Sequence, residues 1–150
     1  MKKTRVMRGN TAAETHLKNE CYAASKLGKH PHIVRLFEKK ESLIQGGNPG
    51  DKEVFMLYEL CHGGNLFNLI QSRTNQGSKG LAESEVLMIA AHIVQGLAHM
   101  HTQQPPIAHR DIKPENVLIG VDNKWKLCDF GSSTTQTYLE INGDVSTVNL

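Results

Sequence analysis

His109-Arg110-Asp111-Ile112-Lys113-Pro114-Glu115-Asn116, followed by Asp129-Phe130-Gly131, places two carboxylates and one amide at fixed offsets. The first stretch reads as a loop. Pro105-Pro106 ends the helix before it, and Pro114 interrupts any helix within it. Val117-Leu118-Ile119 then reads as a short strand, Gly120-Val121-Asp122-Asn123 as a turn, and Lys124-Trp125-Lys126-Leu127-Cys128 as the returning strand. Such a hairpin brings Asn116 close to Asp129. Both carry hard oxygen ligands of the kind Mg²⁺ accepts beside phosphate oxygens and water.

These residues resemble the protein kinase signature H-R-D-L-x-x-x-N plus D-F-G, with Ile112 in place of leucine. The resemblance implies phosphoryl transfer from Mg-ATP to a protein serine or threonine. It implies Asp111 as acceptor of the hydroxyl proton, Lys113 as a contact to the transferred phosphate, and Asn116 and Asp129 as metal ligands. His109 and Phe130 would pack behind the site, with Gly131 closing the motif. Arg110 would pair with a phosphorylated residue downstream, in kinases regulated that way.

Outward from the hairpin, the chain reads as α+β. Residues 1–8 can form a strand, with Lys2, Thr4 and Val6 on one face and Lys3 and Arg5 on the other. A helix follows from about Ala12 to Leu27 and stops at Gly28. Its apolar stripe is Ala13, Leu17, Ala24 and Leu27, and Glu20 falls inside it. A carboxylate there needs a partner. Ile33–Phe37 and Val54–Tyr58 read as strands, separated by the loop signal Gly46-Gly47-Asn48-Pro49-Gly50-Asp51. Helices are expected over about 66–73 and 83–100, the second burying Val86, Ile89, Ile93, Leu97 and Met100. The hydroxyl-rich stretch after Gly131 is expected to be mobile, with Ser132, Ser133, Thr134, Thr135, Thr137, Tyr138, Ser146 and Thr147 as candidate phosphosites.

This order matches the kinase bilobal layout over nearly the whole chain, with 1–60 as part of the small lobe and 61–150 as part of the large one. Under the resemblance, Lys2 takes the slot of the lysine that binds the α- and β-phosphates, with Lys3 as its competitor on the opposite face. Glu20 is then the helix glutamate that pairs with it. Tyr58 is the gatekeeper. The carbonyl of Glu59 and the amide of Cys61 face adenine, and Leu118 lies beneath the ring. Ala24 stands where kinases place a larger residue, which would loosen the active helix position. Cys61-His62-Gly63-Gly64-Asn65, Gln104-Pro105-Pro106-Ile107-Ala108-His109 and Cys128-Asp129-Phe130-Gly131-Ser132 together resemble the Numb-associated kinases. That group implies partners among clathrin adaptor complexes.

Departures from the family pattern are plain. The glycine-rich loop, the A-P-E motif and the later large-lobe helices are absent from the sequence, so the fold is expected to be incomplete. A chain of this kind is expected to be marginally stable, with little turnover by itself. A nucleotide- or partner-binding pseudokinase and a non-functional truncation are the alternatives. Intact Asp111, Asn116 and Asp129 argue against the first of these.

Composition narrows the class. In 150 residues, 17 basic and 15 acidic side chains nearly balance, which does not argue for a nucleic-acid or membrane partner. Cys21, Cys61 and Cys128 show no paired spacing, consistent with reduced thiols and a cytoplasmic location. No apolar run follows the basic residues after Met1, and no transmembrane segment is read. His30, His32, His99, His101 and His109 lack the cysteines of a closed zinc site. A helix end and a turn account for them, and the remaining histidines are expected at the surface.

Overall fold

Strand β1 (Lys2–Val6) opens the chain in the computed structural model, which describes residues 1–77 and 80–135 in full and 138–141 and 144–147 as backbone. Helix α1 (Thr11–Leu27) follows, with the Asn10 side chain capping it by accepting from the Ala13 amide at 3.1 Å. Leu17, Glu20, Ala23, Ala24 and Leu27 form its buried face, and Ala13 is only half-buried. Gly28, at φ 60°, takes the left-handed turn that ends the helix.

Strands β2 (Leu36–Leu43) and β3 (Lys52–Tyr58) complete an antiparallel sheet in the order β1-β3-β2. The register sets Lys2 opposite Met56 and Lys39 opposite Met56 from the other side. β2 is longer and later than the expected strand over 33–37. Residues 33–35 run as a linker, with only Ile33 bridging in parallel to Leu127. Beyond Leu36 every β2 residue is exposed, so the strand is held by its backbone ladder to β3 and carries no apolar alternation. The outer edge of β1 pairs with no other strand among the described residues.

Asn65 caps α2 (Leu66–Asn75), accepting from the Asn68 amide at 2.8 Å. α3 (Glu83–His101) starts with the Glu85 carboxylate reaching back to the Ala82 amide at 2.9 Å. Its buried residues are Ile89, Gly96 and Met100, with Ile93 and Leu97 partly buried against the core. Val86 does not join them: it is 48% exposed.

β4 (Val117–Ile119) and β5 (Trp125–Leu127) form the expected hairpin. Pro114 opens a 3-10 turn, Pro114–Asn116, rather than merely breaking helix, since its fixed φ suits a first helical position. The main core gathers Ala23, Ala24 and Leu27 of α1, Met100 of α3, and Leu127 and Phe130 around the hairpin. Val6, Leu17, Val54 and Met56 form a second cluster under the sheet. The chain is α+β, as expected: a small sheet with one helix, then helices around the β4–β5 hairpin.

Two expectations about side chains change. His30 stacks on His99 at 4.4 Å, and His32 on His92 at 4.2 Å, so His92 is packed rather than a surface residue. After Gly131 the chain is not free throughout. Thr134 exchanges backbone bonds with Ala108 at 2.8 and 3.0 Å, and Ser133 is 2% exposed, which removes it as an accessible phosphosite in this conformation. The backbone of 138–141 pairs with that of 144–147. Thr137 and the side chains of Tyr138, Ser146 and Thr147 lie outside the described residues. No helix among the described residues is long and apolar enough to cross a membrane.

Candidate active site

Strand alternation sends the two lysines to opposite faces of the sheet. Lys2 points inward, and its Nζ lies 2.7 and 2.8 Å from the two Glu20 oxygens. Lys3 points outward to Glu53 at 2.8 Å. Glu20 is 2% exposed, so its charge requires this partner. The Tyr58 hydroxyl also donates to Glu20, at 3.0 Å, and burial holds that phenol well above its ordinary pKa. The Lys2 ammonium is 3.8 Å from Asp129 Oδ1, so one cation faces both carboxylates.

The loop residues converge from the other side. Lys113 Nζ sits 2.8 and 3.0 Å from the Asp111 oxygens. Asn116 Nδ2 donates to the Asp111 carbonyl and to its Oδ2, both at 2.9 Å. The Lys113 contact holds the Asp111 carboxyl below the usual range, with a smaller contribution from Asn116. Because both acceptors take the Asn116 nitrogen, its Oδ1 is the atom left for another ligand. The Asn116 carbonyl accepts from the Cys128 amide at 3.0 Å, which fastens the loop to the residue before Asp129.

Backbone twist aims the remaining groups. Arg110 and Asp129 both have positive φ, 64° and 61°. Arg110 Nε donates to the Ser132 carbonyl at 2.7 Å, tying the loop to the segment after Gly131. His109 is 2% exposed, lies edge-on to Phe130 at 5.5 Å, and bonds the Cys128 carbonyl through Nε2 at 3.1 Å. Burial lowers its pKa and so favours the neutral ring.

A cavity of about 200 Å³ lies between these groups, lined by Lys2, Tyr58, Glu59, Leu118, Cys128 and Asp129 among others. Cys61 does not line it, although its neighbour Glu59 does. Burial raises the Cys61 thiol and pushes Cys128 up to about 12. A larger groove lies between α1 and β2, lined by Cys21, Lys39 and Lys52, and two others run along α1 beside Arg110.

Two features were not read from the sequence. His16, one turn before Glu20, lies over Gly131: a Cβ built on Gly131 would fall inside the imidazole. His16, Glu20 and Asp129 each offer a ligand atom within 4.8 Å of the others, but Glu20 is already taken by Lys2 and Tyr58. The Glu59 side chain accepts from the Arg35 amide at 2.9 Å and from Lys126 Nζ at 3.2 Å. The hard oxygens Asn116 Oδ1 and Asp129 are the donor set that fits Mg²⁺.

Comparison with known proteins agrees with this geometry. The protein kinase domain family matches residues 1–148. The chain belongs to the protein kinase family. It is 43% identical over 123 residues to a probable serine/threonine-protein kinase of Dictyostelium discoideum, covering 81% of this chain and 15% of that protein. It is 40% identical over 126 residues to actin-regulating kinase 1 of Saccharomyces cerevisiae, covering 84% of this chain and 18% of that protein. A serine/threonine-protein kinase of Schizosaccharomyces pombe is 38% identical over 114 residues, 76% of this chain and 11% of the relative. The kinase chain thus spans less than a fifth of each of these relatives.

Proposed function

We propose that this kinase chain carries the nucleotide and catalytic residues of a serine/threonine protein kinase using Mg-ATP. The observation that carries the reading is Lys2, held by buried Glu20 at 2.7 Å and 3.8 Å from Asp129. A cation fixed there would face the phosphates of a nucleotide whose adenine lies between Leu118 and the backbone of Glu59 and Cys61, with Tyr58 at the back of the pocket. Residues 1–60 and 61–150 are read as parts of the small and large lobes.

Asn116 Oδ1 and Asp129 would hold Mg²⁺, which when bound neutralises charge on the phosphates. Asp111 takes the hydroxyl proton of a substrate serine or threonine while the oxygen bonds to the γ-phosphorus and the bond to the ADP oxygen breaks. Its lowered pKa makes it a weak base, which suits a loose transition state in which orienting the hydroxyl matters more than removing its proton early. Lys113, beside Asp111, would follow the phosphoryl group. His109, Phe130 and Gly131 support Asp129 from behind. Arg110, already bonded to Ser132, is placed to answer a phosphate added to the segment after Gly131.

The quoted motifs favour the Numb-associated subgroup, and with it clathrin adaptor complexes as partners. Three cysteines outside any disulfide fit a cytoplasmic location. The test captures the protein from cells with an antibody to residues 62–80, and measures its mass and transfer of labelled phosphate to serine and threonine peptides. Asp111→Asn is expected to abolish transfer while leaving the thermal shift caused by Mg-ADP. Transfer that survives Asp111→Asn overturns the assignment. A nucleotide shift with no transfer by the unaltered protein would favour a binding module.

A further inference from the structure

Lysine is almost never fully buried without a partner, yet Lys126 is 6% exposed in the middle of β5. Its stem crosses Gly120: a Cβ there would stand 2.6 Å from Lys126 Cε and 2.7 Å from Asp122 Oδ1. Gly120 is not at positive φ, so a Cβ there would act by displacing the Lys126 and Asp122 side-chain ends and not through backbone conformation. The ammonium ends 3.2 Å from Glu59 Oε2 and 3.6 Å from Asp122 Oδ2.

Glu59 is thereby a junction of three segments. Its backbone amide donates to the Arg35 carbonyl at 2.9 Å, and its Oε1 accepts from the Arg35 amide at 2.9 Å. Its Oε2 takes Lys126, from the strand that leads through Cys128 to Asp129. One carboxylate therefore ties the end of β3 to the approach to β2 and to the hairpin. Without Lys126, Glu59 would face Asp122 with no cation between them, and two acidic groups would repel at the backbone that faces the cavity.

We propose that the Glu59–Lys126 ion pair is a positioning brace for nucleotide binding, fixing the 59–61 backbone relative to the hairpin that carries Asp129. This rests on the nucleotide reading above. Lys126 touches no reacting atom, so its effect is on affinity for nucleotide and not on the transfer step.

The experiment compares the 150-residue chain with Lys126→Met, Lys126→Arg and Gly120→Ala variants, using amide hydrogen exchange and Mg-ADP titration. Gly120→Ala displaces the lysine without removing its charge, so a folded form of either damaging variant decides the question. Exchange at the Arg35 and Glu59 amides is expected to rise at least tenfold in Lys126→Met and Gly120→Ala, with Met100 in α3 unchanged. Lys126→Arg should stay near the unaltered chain. Affinity for Mg-ADP should fall at least fivefold in the two damaging variants. In protein captured from cells, KM for ATP should rise with kcat nearly constant.

Exchange at Arg35 and Glu59 within twofold of the unaltered chain overturns the brace. A tenfold rise with unchanged Mg-ADP affinity overturns its role in nucleotide binding. If the unaltered chain shows no Mg-ADP binding, the nucleotide reading fails and the positioning role falls with it, while exchange still reports whether the pair holds the backbone.

Discussion

Replacing Lys2 by methionine strands the Glu20 carboxylate, and the structure sets the size of the effect. Glu20 is buried, but the Lys2 side chain is 40% exposed, so the pair lies between two regimes. Breaking a fully buried pair costs about 3–5 kcal/mol, and an exposed one about 0–1 kcal/mol. The Tyr58 hydroxyl remains as one donor to Glu20. Lys2→Met should therefore destabilise the chain by about 2 kcal/mol, or lower Tm by about 4–8 °C for a domain of this size. Urea denaturation followed by fluorescence of Trp125, the sole tryptophan and buried in the core, measures the change. Glu20→Gln added to Lys2→Met should recover about half the loss, because the stranded charge is gone while Tyr58 keeps an acceptor. Lys3→Met should leave the midpoint unchanged, since Arg5 also serves Glu53. A Lys2→Met cost below about 0.5 kcal/mol, or no recovery with Glu20→Gln, would refute the claim that Glu20 depends on this cation.

Four further outcomes follow from the same geometry. Gly96→Ala should cost about 1–3 kcal/mol in urea denaturation despite better helix propensity, because its Cβ would meet the His32 carbonyl at 2.8 Å. Gly131→Ala should lower Tm, and His16→Ala in the same chain should restore it, since the imidazole is what fills the space. Cys128, pushed up to about 12, should resist iodoacetamide at pH 7.5 in the folded chain and react once urea unfolds it, as read by mass spectrometry. His30, His92 and His109 have pKa values lowered mainly by burial, so the unfolded chain binds protons that the folded chain does not. Stability should then be flat above about pH 7.5 and fall as pH drops through about 6.5, and His92→Phe should flatten that fall.

The hairpin and its loop were legible because their information is local. Two strands, a turn and three polar residues sit within a short stretch, and Pro114 and Asn123 fix the bends. The Lys2–Glu20 pair was legible for another reason: a carboxylate inside an apolar stripe needs a cation, and strand alternation leaves few candidates. β2 was displaced in the reading because Glu38-Lys39-Lys40-Glu41-Ser42 has no buried face to signal a strand. Val86 fits the helical period, but period alone does not say where the neighbouring elements stop. His16 and Lys126 were missed because their significance depends on distant residues. Gly131 makes room for one and Glu59 holds the other, and neither partner shares a helix or strand with it. A lysine alternating with Trp125 and Leu127 reads as the solvent face of a strand unless something covers it.

The same logic explains how the site is assembled from sheets that share no ladder. Lys2 comes from the small sheet, and Asp129 from the end of the hairpin. Between them runs the linker after α1. Its Val34 amide donates to the Leu127 carbonyl at 2.9 Å, and the Leu127 amide donates to the His32 carbonyl at 2.9 Å. The Glu59 amide then joins Arg35, one residue further along. The linker that follows α1 is thus stitched to the strand that ends one residue before Cys128. The linker after α1, and the residues leading to Asp129, are therefore joined by backbone bonds. Only Lys2, on an edge strand, approaches from a separate element. Its distances to the two carboxylates therefore report how the small sheet sits on the rest, which is why the Lys2 and Lys126 variants probe different things. The first tests the contact across the site, and the second tests the backbone joint behind it.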